Sequence, residues 1–321
     1  MGTPFFEVKD LKVYYTVKKG FFKQKKQYVK AVDGVSFDVG HGEAFGIVGE
    51  SGCGKSTLGH AIVGLLDVHD GEILMEGQTI AKPGARPSSE FAKSIQIIFQ
   101  DPYSSLDPRF IIGRSIAEPL VINKVGTPKS RNKRTIQLLE EVGLSADKYN
   151  RFPHEFSGGQ RQRVGIARAL TTEPKLIVCD EPVSALDVSI QAQILNLMQD
   201  LQRKHGLSYI FFSHNLGVVE HLCDRIAVMY LGNIVEIAGN EELFNNPLHP
   251  YTRALLNAIP LPDPKRRFTK ESLKGDVPSP LNPPKGCCFN TRCPNVCDAC
   301  HGEKPVLKEI SPGHKVACCL V

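Results

Sequence analysis

One short stretch dictates most of what this chain can fold into: Gly49-Glu50-Ser51-Gly52-Cys53-Gly54-Lys55-Ser56-Thr57 reads G-x-x-x-x-G-K-[ST]. Before it runs the apolar segment Ala44 to Val48; after it Leu58, Ile62, Leu65 and Leu66 follow a helical pattern. A strand thus delivers the chain to a glycine-rich turn, and a helix N-terminus begins where the turn ends. Bare N–H groups from Gly49, Ser51, Gly52, Cys53 and Gly54, with the partial positive charge of the helix, cradle phosphate oxygens. Lys55 is placed to reach the β- and γ-phosphates and Ser56 to put its hydroxyl on magnesium, with Thr57 bonding nearer the α-phosphate. The expected ligand is a nucleotide.

At 321 residues the chain has room for one large α/β domain and an appendage. It contains no run of eighteen apolar residues, and Met1 to Asp10 lacks a charged start followed by an apolar core. The expectation is a soluble, cytosolic protein. The net charge is a modest +5. Lys18, Lys19, Lys23, Lys25, Lys26 and Lys30 nevertheless crowd around Phe21 and Phe22, as either a solvated hairpin or a contact for acidic headgroups or a partner.

Short strands are expected at Glu7 to Tyr15, Val29 to Phe37, Ala44 to Val48, Glu72 to Met75 and Ile95 to Phe99, bounded mostly by Gly, Asp or Pro. From about Asp101 the texture changes to proline-punctuated helices with charged faces, which reads as a helical insertion over about 101–165. The buried strand Leu176 to Cys179, the helix Ile190 to His205 and the buried strand Tyr209 to Phe212 follow. Strand, helix, strand implies a parallel sheet wrapped by helices. Beyond Pro247 the prolines multiply, so a domain boundary is expected near 255, dividing the chain into 1–255 and 256–321.

Phosphate chemistry needs a further carboxylate for magnesium and a base for water. Asp180 and Glu181 supply both, directly after the apolar strand that ends at Cys179. They should emerge at the carboxyl edge of the sheet, Asp180 toward magnesium and Glu181 toward the attacking water.

Phe156-Ser157-Gly158-Gly159-Gln160 followed by Arg161 resembles the signature sequence of ATP-binding-cassette ATPases. That resemblance implies an α/β fold with a mixed sheet core and a helical subdomain. It also implies that Ser157, Gly158, Gly159 and Gln160 face the γ-phosphate of ATP held by a second cassette subunit. Gln100 matches the loop glutamine that touches magnesium, Ser184-Ala185-Leu186-Asp187 the segment linking two sites across a dimer, and His214 the histidine that contacts the γ-phosphate and supports Glu181. Tyr28 is the candidate for stacking on adenine, with Tyr15 second.

The segments Gln100 to Arg109, Gly49 to Cys53 and Asp180 to Ser189, with the ending Asn246-Pro247-Leu248-His249-Pro250-Tyr251-Thr252, are similar to ATPase subunits of bacterial oligopeptide and dipeptide importers. The implied partners are a second, related ATPase, two transmembrane permease subunits and an external peptide-binding protein, with no nucleic acid. The implied place is the cytoplasmic face of the inner membrane. Nickel or another small solute is the alternative cargo. A soluble cassette ATPase acting on nucleic acid or ribosomes is the alternative of another class, although long coiled-coil insertions and a second cassette are both lacking.

Of ten cysteines, Cys287, Cys288, Cys293, Cys297, Cys300, Cys318 and Cys319 fill the tail. In a reducing compartment such a cluster more often holds metal than disulfides. By spacing alone, with Cys297-Asp298-Ala299-Cys300 a C-x-x-C pair, zinc is favoured. The resemblance to the importer subunits implies instead a 4Fe–4S cluster on Cys287, Cys293, Cys300 and Cys318, of structural use to a segment poor in apolar residues.

Overall fold

The computed structural model describes residues 4–19, 25–101, 103–258 and 275–321. In chain order the strands are β1 (Phe6–Lys19), β2 (Lys25–Val39), β3 (Ala44–Val48), β4 (Asp70–Met75), β5 (Gln78–Ala81), β6 (Ile95–Ile98), β7 (Leu176–Asp180), β8 (Ser208–Ser213), β9 (Arg225–Tyr230), β10 (Asn233–Gly239), β11 (Lys308–Ser311) and β12 (His314–Val316). The helices are α1 (Lys55–Ile62), α2 (Ser89–Ser94), α3 (Ile112–Ile122), α4 (Pro128–Glu141), α5 (Gly158–Leu170), α6 (Val188–His205), α7 (Leu216–Leu222), α8 (Asn240–Asn245) and α9 (Pro250–Asn257). Of the lysine-rich segment, residues 20–24, with Phe21, Phe22 and Lys23, lie outside the described residues.

The chain forms two compact units. The first comprises Met1–Gly40, Ala44–Arg86 and Phe212–Val321. It carries an antiparallel sheet in the order β2-β1-β4-β5 and a mixed run of strands, β11-β12-β10-β9-β3, in which β3 and β9 are parallel. β3 is buried along its whole length, which is why its sequence is apolar on both faces rather than alternating. β1 and β2 do alternate. From Tyr14 onward their register pairs Tyr14 with Lys30, Tyr15 with Val29 and Thr16 with Tyr28, so Tyr14 and Tyr28 share one face and Tyr15 takes the other.

The second unit comprises His41–Glu43 and Pro87–Phe211. Its strands run β8-β7-β6, with β6 and β7 parallel, and all five residues of β7 are buried. Helices α3, α4, α5 and α6 belong to this unit, and the charged faces expected after Asp101 are the exposed sides of α3 and α4. Pro128 opens α4 at its first turn, and Thr127 and Ser130 cap it reciprocally.

The compact units divide the chain elsewhere than at the boundary expected near 255. Residues 275–321 belong with the first unit, because β12 extends the sheet at β10 through Glu236↔Val316 and Ile237↔Lys315, and the Ala317 N–H donates to the Val235 carbonyl at 2.8 Å. Phe289, fully buried, packs its ring 5.2 Å from Tyr230 and 5.3 Å from Tyr251. The extension thus buries more apolar surface than its proline content suggests. The helical subdomain expected at about 101–165 is part of a unit that also holds β6, β7 and α6.

Candidate nucleotide site

The phosphate loop lies in the first unit. Gly52 and Gly54 have φ of 80° and 110°, where a side chain is strained, and a Cβ on Gly54 would run into the Ala31 carbonyl oxygen. A Cβ on Gly49 would meet the Met229 carbonyl in the same way. Two of the motif's glycines are therefore required by close backbone approach as well as by the ligand. Gly54 is the N-cap of α1, which has no side-chain cap and no acidic residue in its first turn.

Lys55 is 5% exposed, and its ammonium donates to the Gly49 and Glu50 carbonyl oxygens at 2.8 and 3.2 Å. The lysine is thus held against the loop that it serves. Cys53 is buried beneath it, its Sγ 3.9 Å from Lys55 Nζ, and burial pushes that thiol up. Tyr15 lies beside the loop's end, its hydroxyl 3.3 Å from Thr57 Oγ1 with the ring 42% exposed. Tyr28 instead has Tyr14 and His69 as ring neighbours, at 6.3 and 5.8 Å. The strand alternation puts Tyr15, the second candidate, on the face of Thr57. His214 follows β8 immediately and is exposed, just before α7, whose N-terminus is capped by the Asn215 side chain accepting from the Gly217 N–H at 3.0 Å.

In the second unit β7 ends on Asp180, 5% exposed, and the chain then turns at Glu181 with φ +47°. A non-glycine residue in the left-handed region costs of order 1–3 kcal/mol and concentrates at functional positions. The turn is held by Ser184, whose hydroxyl and N–H both donate to the Glu181 carbonyl at 3.0 and 3.2 Å. Gln191 adds bonds to the Val183 and Leu186 carbonyls. Gln100, just after β6, donates from Nε2 to Glu181 Oε2 at 3.2 Å and to Ser184 Oγ at 3.4 Å. Three residues taken from distant parts of the sequence are thus brought to one place.

The signature stretch opens α5. Ser157 accepts from the Gln160 N–H at 3.3 Å, and Gln160 accepts from the Ser157 N–H at 3.1 Å, a reciprocal cap. Ser157 and Gly158 are exposed at this terminus. A Cβ on Gly159 would overlap Ile190 of α6, so this glycine lets the two helices approach. Val188, at the start of α6, is 82% exposed.

The extension's cysteines form a second constellation, in the first unit. Cys287, Cys300 and Cys318 are buried and Cys293 partly so. The Cys287 N–H donates to the Cys300 carbonyl at 2.9 Å, and Asn290 Nδ2 ties the Lys285 and Cys300 carbonyls. Burial, then the charges of Cys287, Cys300 and Cys318, raise the Cys293 thiol. Cys288 and Cys319 point at the carbonyls of Tyr230 and Ala299, whereas Cys297 Sγ lies 3.6 Å from Cys300 Sγ. Among the described residues, no group of three His, Cys, Asp or Glu side chains is poised around a single metal ion.

Two contacts to the phosphate loop were not legible as functional in the sequence. The Glu50 N–H donates to the Tyr251 hydroxyl at 3.0 Å, and Arg292 grips the Glu50 carboxylate through both terminal nitrogens at 2.7 and 3.1 Å. The only signal for Tyr251 was its place in the stretch Asn246 to Thr252.

Comparison with known proteins agrees with this geometry. The family model described as ABC transporter matches residues 32–184, and that described as oligopeptide/dipeptide transporter, C-terminal region, matches 235–300. The chain is 50% identical over 315 residues to the oligopeptide transport ATP-binding protein AppF of Bacillus subtilis, covering 97% of this chain and 96% of that one. It is 52% identical over 317 residues to OppF, the oligopeptide transport ATP-binding protein of Haemophilus influenzae, covering 97% and 96%. Among solved structures, a nucleotide-free ATP-binding cassette from an ABC transporter aligns with TM-score 0.64 at 28% identity, covering 79% of this chain and 98% of that one. A dimeric post-hydrolysis cassette bound to ADP and phosphate aligns with TM-score 0.62 at 26% identity, covering 73% and 98%. The chain belongs to the ATP-binding-cassette family of transport ATPases and carries the C-terminal region of its oligopeptide and dipeptide transporters.

Proposed function

We infer that this ATPase energises the import of oligopeptides or dipeptides from the cytoplasmic face of the cell membrane. The observation that carries the reading is the pairing, on one chain that peptide-transport ATPases match over 97% of its length, of an ABC transporter cassette with the oligopeptide/dipeptide C-terminal region. No helix among the described residues is long and apolar enough to cross a membrane, so transmembrane partners would be separate subunits.

In this reading the loop N–H groups and Lys55 bind the ATP phosphates. Ser56, Gln100 and Asp180 offer the hard oxygen donors that magnesium prefers, and the metal would neutralise charge between the phosphates. Glu181 takes a proton from the attacking water, aimed by Gln100, with His214 toward the γ-phosphate. Tyr15, beside Thr57, replaces Tyr28 as the residue proposed to stack on adenine. The exposed Ser157–Gly158 terminus and the exposed Val188 suit a face-to-face dimer with a second, related cassette subunit. Tyr103, Val121 and Ile122, exposed on the second unit, suit contact with a permease subunit.

The test is purification of the tagged chain from detergent-solubilised membranes of its host, with ATP hydrolysis assayed with and without peptide-loaded binding protein. Two multi-span subunits and a second cassette ATPase are expected to accompany it, with hydrolysis stimulated by the loaded binding protein. Stimulation by a nickel-loaded binding protein alone would change the cargo. Recovery with ribosomes or nucleic acid would overturn the transport reading.

We further propose that Cys287, Cys293, Cys300 and Cys318 hold a 4Fe–4S cluster. The support is the chemistry of the donor set, three buried thiols and a half-buried fourth in one cysteine-rich segment, which suits the four thiolates of an iron–sulfur centre. Its contribution would be structural, tying 287–300 to β12. Anaerobically purified protein should be brown, with about four iron and four acid-labile sulfide per chain. One zinc per chain without iron would replace the cluster by a zinc site, and neither metal would remove both.

A further inference from the structure

The contact between the extension and the phosphate loop is built more firmly than tail docking requires. The Arg292 side chain is only 6% exposed, and its two-pronged grip on Glu50 is the strongest geometry available to such a pair. The guanidinium also lies 5.9 Å from the ring of Tyr230. The carboxylate belongs to the residue whose carbonyl accepts from Lys55 and whose N–H donates to Tyr251. Tyr251 packs against Phe289, three residues before Arg292. Residues 289 and 292 thus hold the second residue of the loop from two sides, by its side chain and, through Tyr251, by its backbone.

We propose that Arg292 is a positioning residue for the phosphate loop, so that the cysteine-rich extension is a working part of the ATP site. The proposal rests on the ATP-site reading above. With Glu50 fixed, the Gly49 and Glu50 carbonyls that seat Lys55 are fixed too, and the loop is shaped before nucleotide arrives. Without the clasp, ATP must order the loop as it binds. By linkage, whatever loosens the extension weakens ATP, and ATP in turn steadies the extension.

The test uses the full chain and the fluorescent analogue mant-ATP with magnesium. Arg292→Ala should weaken binding about tenfold, within the usual range for coupled sites, and raise the KM for ATP more than it lowers kcat. Arg292→Lys keeps the charge but not the fork and should recover part of the loss. Adding Glu50→Gln to Arg292→Ala should cost nothing more, since both remove one interaction. Hydrogen exchange at 286–293 should slow on nucleotide binding in the wild type and not in Arg292→Ala.

Wild-type affinity in Arg292→Ala, with only thermal stability lowered, would reduce the clasp to docking and overturn the proposal. Should that variant not fold, Glu50→Gln alone decides, because it keeps the side chain's shape: unchanged affinity overturns the proposal and a several-fold loss supports it. Failure of the wild type to bind mant-ATP would take the ATP-site reading down with it.

Discussion

Replacing Glu181 by Gln should lower ATP turnover by at least 10²-fold while leaving ATP bound, since a positioned general base contributes about 10²- to 10⁴-fold. The substitution is clean for reasons specific to this site. Glutamine has the size of glutamate and bears the same backbone strain at φ +47°, so the turn after β7 gains no new cost. The Ser184 bonds to the residue 181 carbonyl do not involve the altered side chain. Gln100 can still donate to the remaining oxygen, so the turn's architecture survives. What disappears is the carboxylate proposed to take the proton from water. Phosphate release measured beside mant-ATP binding separates the two effects. Turnover within threefold of wild type would remove Glu181 from the base role, and lost binding would show that its main work is architectural.

The strand and glycine turn that lead into α1 were readable because their residues carry demands that no other residue type meets. Gly54 needs a positive φ and lacks space for a Cβ, and β3 and β7, buried on both faces, are written as continuous apolar runs. The place of Asp180 and Glu181 at the end of β7 was readable for a related reason, as charge directly after such a run.

Legibility failed where tertiary contact decided the outcome. The lysine-rich sequence Lys18 to Lys26 disturbs the spacing from which an adenine-stacking residue is read. Strand alternation, visible only once the register was known, moves the proposal from Tyr28 to Tyr15. The compact units were missed because the chain returns at Phe212 to the unit in which it began. In the extension, β11 and β12 are four and three residues long and draw their order from pairing at the β10 edge, leaving too short a pattern to read. Arg292 carries no local motif, and its bond to Glu50 spans 242 positions, which no sequence pattern records.

The second large effect is expected at a glycine. Gly54→Ala should weaken nucleotide binding by about 10²-fold or more without unfolding the chain. Two costs act together. A side chain in the left-handed region costs about 1–2 kcal/mol, and forcing a methyl group into an occupied site costs typically 1–3 kcal/mol more. Each 1.4 kcal/mol is a factor of ten in affinity. Here the occupied site is the carbonyl of Ala31 in β2, which the register with β1 skips between the pairs Val13↔Val32 and Tyr14↔Lys30, so that it is held by a paired neighbour on each side. The loop must move instead, and with it the start of α1, where the Gly54 carbonyl accepts the first helical bond from the Leu58 N–H at 2.9 Å. Lys55 and Ser56 shift as a consequence. Gly52→Ala is the matched comparison, with φ +80° but nothing within 4 Å of an added Cβ. It bears the strain alone and should lose only about tenfold. Titration of both variants with mant-ATP, with folding checked by circular dichroism, measures the difference. Equal losses would mean that backbone strain, and not the approach of Ala31, is what reserves position 54 for glycine.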